Sequence, residues 1–181
     1  MISACCSICD MMRRVVLIFW LAGIAIGLLL GAAWSAERSE PRLEVTVTAV
    51  SDGDTLKAGK LRLRLHGVDA PERKQTCVTA TNQNYPCGQK ATEWLHQIAH
   101  PGERLSCAVL DIDRYRRLIV RCEKDGIDIN HALVQAGWAV AYTRYSDDYL
   151  QAEYEAKANK AGLWQGRFIR PELWRKQQRR K

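Results

Sequence analysis

The sequence predicts an α+β fold, in which a small five-stranded β-barrel is accompanied by about three helices. Five short segments alternate apolar and polar residues or are rich in branched residues, as strands are, while three others repeat apolar residues at helical spacing. A length of 181 residues allows one ordinary domain with appendages. Short strands interleaved with helices fit an OB-fold barrel, which we place at residues 43–166.

The clearest strand signal lies at residues 60–68, where three leucines alternate with basic residues. Leu61, Leu63 and Leu65 are predicted to face the core, which leaves Arg64 on the opposite, accessible face. The remaining strands are predicted at 43–50, 54–57, 104–110 and 117–123.

Three helices are predicted between and after these strands. The first covers residues 88–99, and the second begins at Asn130 as its N-cap and runs to residue 135. The third begins at Ser146 and ends at Gly162. Its apolar stripe is formed by Leu150, Tyr154, Ala158 and Ala161.

The N-terminal region predicts a membrane segment. Residues 15–36 contain no charged side chain and are long enough for a helix to cross a bilayer core of roughly 30 Å. Arg13 and Arg14 precede the segment, so residues 1–14 are expected in the cytoplasm, and the domain that follows the 37–42 linker outside it. The alternative is a cleaved signal peptide, which would make the protein secreted or periplasmic.

The charge distribution separates the domain from the C-terminus. The net charge is +7, yet residues 37–166 carry 18 basic and 18 acidic side chains. Residues 167–181 carry seven basic side chains and one acidic one. This segment is predicted to be a basic tail that is solvated, attracts a polyanion, or binds anionic lipid heads.

Four cysteines follow the apolar segment, at positions 77, 87, 107 and 122. An even number of cysteines outside the cytoplasm indicates disulfides, and three pairings are possible. We favour the local pairs, because Cys77 and Cys87 flank one polar loop, while Cys107 and Cys122 lie in strands expected to form a hairpin. A zinc site is the alternative, but none of these four cysteines is in a Cys-x2-Cys spacing.

The residues that suggest chemistry fall in three short phrases. These are Asp52-Gly53-Asp54-Thr55, the segment Arg64-Leu65-His66-Gly67-Val68-Asp69-Ala70-Pro71-Glu72, and Asp113-Arg114-Tyr115-Arg116-Arg117. Two carboxylates can hold a hard cation, a third can activate water, and two guanidiniums can bind a phosphoryl group. Together they suit metal-assisted cleavage of a phosphodiester.

The three phrases, in this order, resemble the staphylococcal (micrococcal) thermonuclease family. Further matches lie at 130–134, 137–139, 141–142 and 162–164, so the likeness runs from about residue 43 to 164. The resemblance implies the same OB fold and calcium-dependent hydrolysis of DNA, or RNA, with little sequence preference. One departure concerns Arg116, which stands where the family usually has glycine, so a different turn before Arg117 is expected.

The resemblance also implies a role for each site residue. Asp54, Asp69 and the backbone carbonyl of Ala70 would hold Ca²⁺, and Glu72 would act as general base or orient the attacking water. Arg64 and Arg117 would stabilise the phosphoryl transition state. Tyr115 and Tyr142 match positions that contact nucleotide.

Two other functions are compatible with the sequence. The first is a non-catalytic OB-fold module that binds single-stranded nucleic acid or another envelope polymer, although such a module needs no acidic cluster. The second is a structural envelope domain whose basic tail binds lipid. The sequence indicates no protein partner.

Overall fold

The computed structural model describes residues 41–180, which form strands and helices around one main core. The predicted N-terminal segment, its membrane helix and most of the linker lie outside the described residues. No helix between residues 41 and 180 has the length and apolar character needed to cross a membrane.

The strands are β1 (Arg42–Thr46), β2 (Ala49–Asp52), β3 (Thr55–Ala58), β4 (Leu61–Leu65), β5 (Val68–Asp69), β6 (Cys77–Thr79), β7 (Asn84–Tyr85), β8 (Arg104–Ile112), β9 (Leu118–Lys124), β10 (Ile127–Asp128), β11 (Val140–Ala141) and β12 (Gly166–Arg167). The helices are α1 (Cys87–Ile98), α2 (Ile129–Gln135), α3 (Leu150–Ala158) and α4 (Pro171–Gln178), and a 3-10 turn spans Gly162–Gln165.

The main sheet has the strand order β1-β8-β9-β4-β3-β2, and β10 pairs with β9. All of its pairings are antiparallel except β4 with β9, where Arg64 lies opposite Ile119. This parallel pairing joins strands more than fifty residues apart and places Arg64 near the turn that precedes β9. The mixed sheet and four helices are consistent with an OB-type α+β fold, with more strands than the five predicted.

The predicted alternation in β4 is confirmed at its inner end. Leu63 and Leu65 are buried in the core, but Leu61, at the start of the strand, is exposed. The core also contains Leu56, Leu105 and Val120 from neighbouring strands. Burying these side chains stabilises the fold and fixes which residues of β4 face the cleft.

The helices were predicted with unequal success. Helix α1 lies within a residue of its predicted bounds. The N-cap of α2 is Asp128, whose side chain accepts a hydrogen bond from the backbone N–H of His131. Asn130 is instead buried, and its amide donates to the carbonyls of His66 and Val120. The predicted cap was therefore wrong, because a buried carbonyl pair needed this donor.

The predicted apolar stripe of α3 was also wrong. Leu150 and Tyr154 are exposed, whereas the buried face is formed by Ala152, Glu153 and Ala156. Glu153 can be buried because its carboxylate accepts hydrogen bonds from the backbone N–H of Ala141 and from Arg170. A buried acid with partners distant in sequence is invisible to a search for apolar periodicity.

Two disulfides are present, with the predicted local pairing. Cys77 in β6 bonds to Cys87 at the start of α1, with Cα atoms 5.6 Å apart. Cys107 and Cys122 face each other across the β8–β9 hairpin, with Cα atoms 4.1 Å apart. All four are buried, and because their sulfur atoms are bonded to one another the zinc alternative is excluded for them.

The C-terminal segment is folded, which corrects the prediction of a solvated basic tail from residue 167. Arg167 pairs with Val78 in the strand ladder of β12 and β6, and Pro171 is buried at the first turn of α4. Arg170, just before α4, donates to the carbonyl of Ala141 at 3.1 Å and pairs with Glu153. The segment is thereby fixed to β11 and α3.

Candidate active site

One large cleft, of about 1160 Å³, is lined by residues from all three sequence phrases. Asp54, Arg64, Glu72 and Arg117 all line it, together with Arg175 from α4. The parallel pairing of β4 with β9 brings the second phrase beside the third, since Arg117 immediately precedes β9. The structure therefore brings Asp54, Arg64, Glu72 and Arg117 to one cleft, whereas Asp69 and Ala70 do not line it.

Asp54 lies in the turn between β2 and β3, and it is buried. Its Oδ2 atom accepts the backbone N–H of Ala70 at 2.9 Å and forms an ion pair with Arg64. The hydroxyl of Thr55 donates to Oδ1 at 3.2 Å. These contacts link the β2–β3 turn to the end of β5, so the predicted ligand positions Asp54 and Ala70 are adjacent.

Arg64 projects from β4 between two aspartates. Its Nη2 atom donates to Asp69 Oδ1 at 3.3 Å and to the carbonyl of Val68 at 3.2 Å, while its Nη1 atom pairs with Asp54. The side chain is only 12% exposed, so it is less accessible than the sequence predicted for this face of the strand. Burial lowers the pKa of Arg64 while Asp69 opposes this effect, and the guanidinium stays charged at neutral pH.

Asp69 ends β5 and is 1% exposed. The Nη2 atom of Arg175 lies 2.9 Å from Asp69 Oδ1 and 3.0 Å from Oδ2. Burial raises the pKa of Asp69, although Arg175 and Arg64 both act to lower it. This carboxylate is covered by α4 and does not itself line the cleft.

Glu72 follows Pro71 in the loop after β5, and its side chain is more open to solvent than either aspartate. Its Oε1 atom accepts a hydrogen bond from Arg175 Nη1 at 3.0 Å. The backbone carbonyl of Glu72 accepts the N–H of Gln75 at 2.7 Å and packs against Gly88, where a Cβ atom would lie 1.8 Å away. Only glycine fits there, so the start of α1 can hold the Glu72 backbone closely.

Arg117 is held by a turn that Asp113 organises. The carboxylate of Asp113 accepts the backbone N–H groups of Tyr115 and Arg117, each at 2.9 Å, and the Nε of Arg117 at 2.8 Å. Burial alone would raise the pKa of Asp113, but the hydrogen bonds from Arg117 hold it below its ordinary value. The Arg117 side chain is 21% exposed at the cleft.

Arg116 replaces the usual glycine without abolishing this turn. Its φ angle is +60°, in the left-handed region that glycine favours, and its N–H donates to the carbonyl of Asp113 at 2.9 Å. The expectation of a different turn therefore finds no support in the backbone. The conformation costs the arginine strain that glycine would not incur.

Aromatic side chains border the cleft near these arginines. Tyr115 is 57% exposed, and the guanidinium of Arg114 lies 4.8 Å from its ring centroid. Tyr142 follows β11 and packs edge-on against Tyr145, with ring centroids 4.9 Å apart. Tyr145, which is exposed, was not selected from the sequence although it lies only three residues after Tyr142.

The predicted calcium ligands are oxygen donors of the kind that a hard cation prefers, and both aspartates are engaged by arginines in this structure. Asp54 and Asp69 share Arg64, and Ala70 donates its N–H to Asp54. Within residues 41–180 no group of three or more His, Cys, Asp or Glu side chains is arranged to hold a metal. The predicted set contains only two such side chains plus a backbone oxygen, and calcium takes carbonyl and water oxygens readily.

The site residue that the sequence reasoning missed is Arg175. It was counted only as tail charge, yet it contacts both Asp69 and Glu72 and is 28% exposed. The carboxylates of Asp69 and Glu72 raise its pKa, although burial alone would lower it. The available signal was the helix itself, since Pro171 at the first turn, Glu172 after it and basic residues in the last turn suit an α-helix.

Comparison with known proteins finds relatives that are named as endonucleases. The chain is 35% identical over 141 residues to a Haemophilus influenzae protein called an uncharacterized endonuclease, covering 74% of this chain and 73% of the relative. An Escherichia coli O157:H7 protein, also called an uncharacterized endonuclease, is 31% identical over 137 residues, which cover 71% of this chain and 82% of the relative.

A Rhizobium meliloti protein named succinoglycan biosynthesis protein ExoI is 35% identical over 120 residues, 64% of this chain and 62% of its own length. The chain thus spans less than two thirds of that relative. The sequence profile described as staphylococcal nuclease homologue matches residues 62–166, which include Arg64, Asp69, Glu72 and Arg117. The resemblance is confirmed, and the chain belongs to the staphylococcal nuclease homologue family.

Proposed function

We propose that this protein is a calcium-dependent nuclease that hydrolyses phosphodiester bonds in DNA, and in RNA as a second substrate class, with little sequence preference. The observation that carries the proposal is the convergence of Asp54, Glu72, Arg64 and Arg117, far apart in sequence, on one cleft, with Asp69 paired to Arg64 beside it. The endonuclease names of the H. influenzae and E. coli relatives support hydrolysis of nucleic acid.

Asp54, Asp69 and the carbonyl of Ala70 would hold Ca²⁺, which, when bound, supplies positive charge to the phosphoryl oxygens. Glu72, the most solvent-accessible of the three carboxylates, would accept a proton from water or orient it. Its backbone carbonyl is held by the N–H of Gln75 and packs closely against Gly88, which restrains the loop that carries the side chain.

Arg64 and Arg117 enter the cleft from neighbouring strands and would each donate hydrogen bonds to the phosphoryl group. Negative charge grows on these oxygens as water attacks, so the contacts strengthen toward the transition state. Tyr115 and Tyr142 border the same cleft and offer faces on which bases can stack without reading sequence.

We further propose that the domain acts outside the cytoplasm. The two buried disulfides support this location, because such bonds persist in oxidising compartments. Anchoring by residues 15–36 and cleavage of that segment both stay predictions, and N-terminal sequencing of the mature protein from its host distinguishes them.

The test is cleavage of single-stranded DNA by the purified protein with Ca²⁺ or with a chelator. We expect products only with Ca²⁺, and a loss of about 100-fold or more in turnover for Glu72→Gln. A matched control is Glu93→Gln, an exposed acid on α1 outside the cleft. Tight DNA binding without cleavage in either condition would instead favour the non-catalytic binding module.

A further inference from the structure

Helix α4 lies beyond residue 166, where the match to the family ends, yet it delivers a guanidinium to the centre of the site. Arg175 Nη2 contacts both oxygens of Asp69, and Nη1 contacts Glu72. We infer that Arg175 determines the cation affinity of the site by competing with the metal ion for Asp69. This inference rests on the proposed function, because it concerns the same carboxylates.

The hydrogen bonds of the two aspartates support competition. Asp54 accepts from Ala70 and Thr55 and pairs with Arg64, so its oxygens are engaged by protein donors. Asp69 is held by Arg64 at Oδ1 and by Arg175 at both oxygens. A carboxylate has about four acceptor positions, and these three contacts leave about one, so an ion that approaches either oxygen of Asp69 closely competes with Arg175 for it.

The net charge around Asp69 also predicts that Arg175 weakens cation binding. Three carboxylates (Asp54, Asp69 and Glu72) surround two guanidiniums (Arg64 and Arg175), which leaves one negative charge uncompensated. Removing Arg175 would leave two, and a divalent cation would be attracted more strongly. Because Asp69 is buried, solvent screens the repulsion between an ion there and the guanidinium only partly.

Of the two arginines that contact Asp69, Arg175 is the one that can move away when an ion binds. Arg64 is 12% exposed and is tied to Asp54, Asp69 and the carbonyl of Val68. Arg175 is 28% exposed and borders the cleft, and within residues 41–180 its side chain donates hydrogen bonds to carboxylates alone. Its guanidinium can therefore swing into the cleft without leaving a buried backbone group unpaired.

The experiment compares Arg175→Gln with Arg179→Gln in the full chain, by calorimetric titration with Ca²⁺ in the absence of nucleic acid. Arg179 lies one turn along the same segment, also borders the cleft, and forms no ion pair within residues 41–180. Both variants lose one positive charge. A difference in their Ca²⁺ affinity therefore reflects the direct contacts that Arg175 makes with the carboxylates. We expect Arg175→Gln to lower the dissociation constant for Ca²⁺ by about tenfold or more, and Arg179→Gln by less than about twofold.

Thermal unfolding gives a second readout. Without Ca²⁺, Arg175→Gln should melt at a lower temperature than the parent, because Asp69 and Glu72 lose their shared cation. Added Ca²⁺ should raise its melting temperature more than that of the parent, since tighter binding stabilises the folded state further. Should Arg175→Gln not fold, Arg175→Lys serves instead, and its Ca²⁺ affinity should exceed that of the parent because Lys cannot span both acids.

The outcomes separate this inference from the proposed function. If the parent binds Ca²⁺ and cleaves DNA, but the Arg175 variant binds Ca²⁺ no more tightly than the Arg179 variant, the inference is overturned and the proposed function stands. If neither the parent nor any variant binds Ca²⁺, both the inference and the calcium dependence of the proposed function are wrong.

Discussion

The β4–β5 corner and the β8–β9 turn each bring one arginine to the cleft, but they hold it in different ways. At the corner, Arg64 is 12% exposed and lies between Asp54 and Asp69, both of which are buried. Asp54 comes from the β2–β3 turn, and Arg175 on α4 supplies a further guanidinium to Asp69. The ion pairs at this corner therefore form only when segments distant in sequence are packed together.

The β8–β9 turn is self-contained. Arg117 is 21% exposed, and the acid that holds it, Asp113, lies four residues earlier in the same turn. The same carboxylate also accepts the backbone N–H groups of the turn. Removal of Arg117 leaves Asp113 with backbone donors and solvent, whereas removal of Arg64 leaves two buried carboxylates short of a cation.

The comparison separates two contributions that one residue type can make. At the corner, the charge of Arg64 stabilises the fold, because burying an unpaired carboxylate is costly, and its proposed contact with a phosphoryl group would be a second role. At the turn, stability depends on Asp113 and the backbone, so the proposed role of Arg117 in the reaction would be almost its only one. Three substitutions test this difference.

Arg64→Ala should have the largest effect on stability. We expect a loss of about 3–5 kcal/mol in the free energy of unfolding, since Asp54 and Asp69 stay buried without their shared partner. Denaturant unfolding measures the loss. Arg62→Ala is the matched control, because Arg62 lies on the same strand, is exposed and forms no ion pair within the described residues. Similar losses for the two variants would contradict the structural role of Arg64.

Arg117→Ala should lower turnover by about 100- to 1000-fold, because it removes donors that act mainly in the transition state. The free energy of unfolding should change by less than about 1 kcal/mol, as expected for a partly exposed pair. Steady-state cleavage assays and unfolding curves measure the two effects, and Arg114→Ala controls for loss of charge in the same turn. Near-full turnover in Arg117→Ala would show that another arginine performs this role.

Arg116→Gly should have the smallest effect and the opposite sign. Glycine adopts the observed φ of +60° without the steric cost that arginine bears, so stability should rise by up to about 1 kcal/mol. Arg116→Ala removes the same charge but keeps a Cβ atom, and it should give no such gain. An unchanged or lower melting temperature for Arg116→Gly would mean that the arginine side chain makes compensating contacts.

The sequence by itself determined the parts whose cause is local. Alternation in β4 predicted that Leu63 and Leu65 would be buried, and the stripe of α1 predicted that helix nearly to the residue. Cysteine spacing favoured the two disulfides that the structure contains. The order of the three phrases identified the family, because it can be read from short contiguous stretches of sequence without knowledge of their partners.

Tertiary structure decided what depends on partners distant in sequence. Glu153 is buried because Arg170 and the N–H of Ala141 meet it, and Asn130 serves two carbonyls rather than a helix end. From composition alone, Arg175 was counted as one positive charge of a solvated tail. Helix α4 instead packs it against Asp69 and Glu72. Periodicity and composition report on one segment at a time, whereas a buried charge is stable only where several segments bring its counter-charges and hydrogen bonds together.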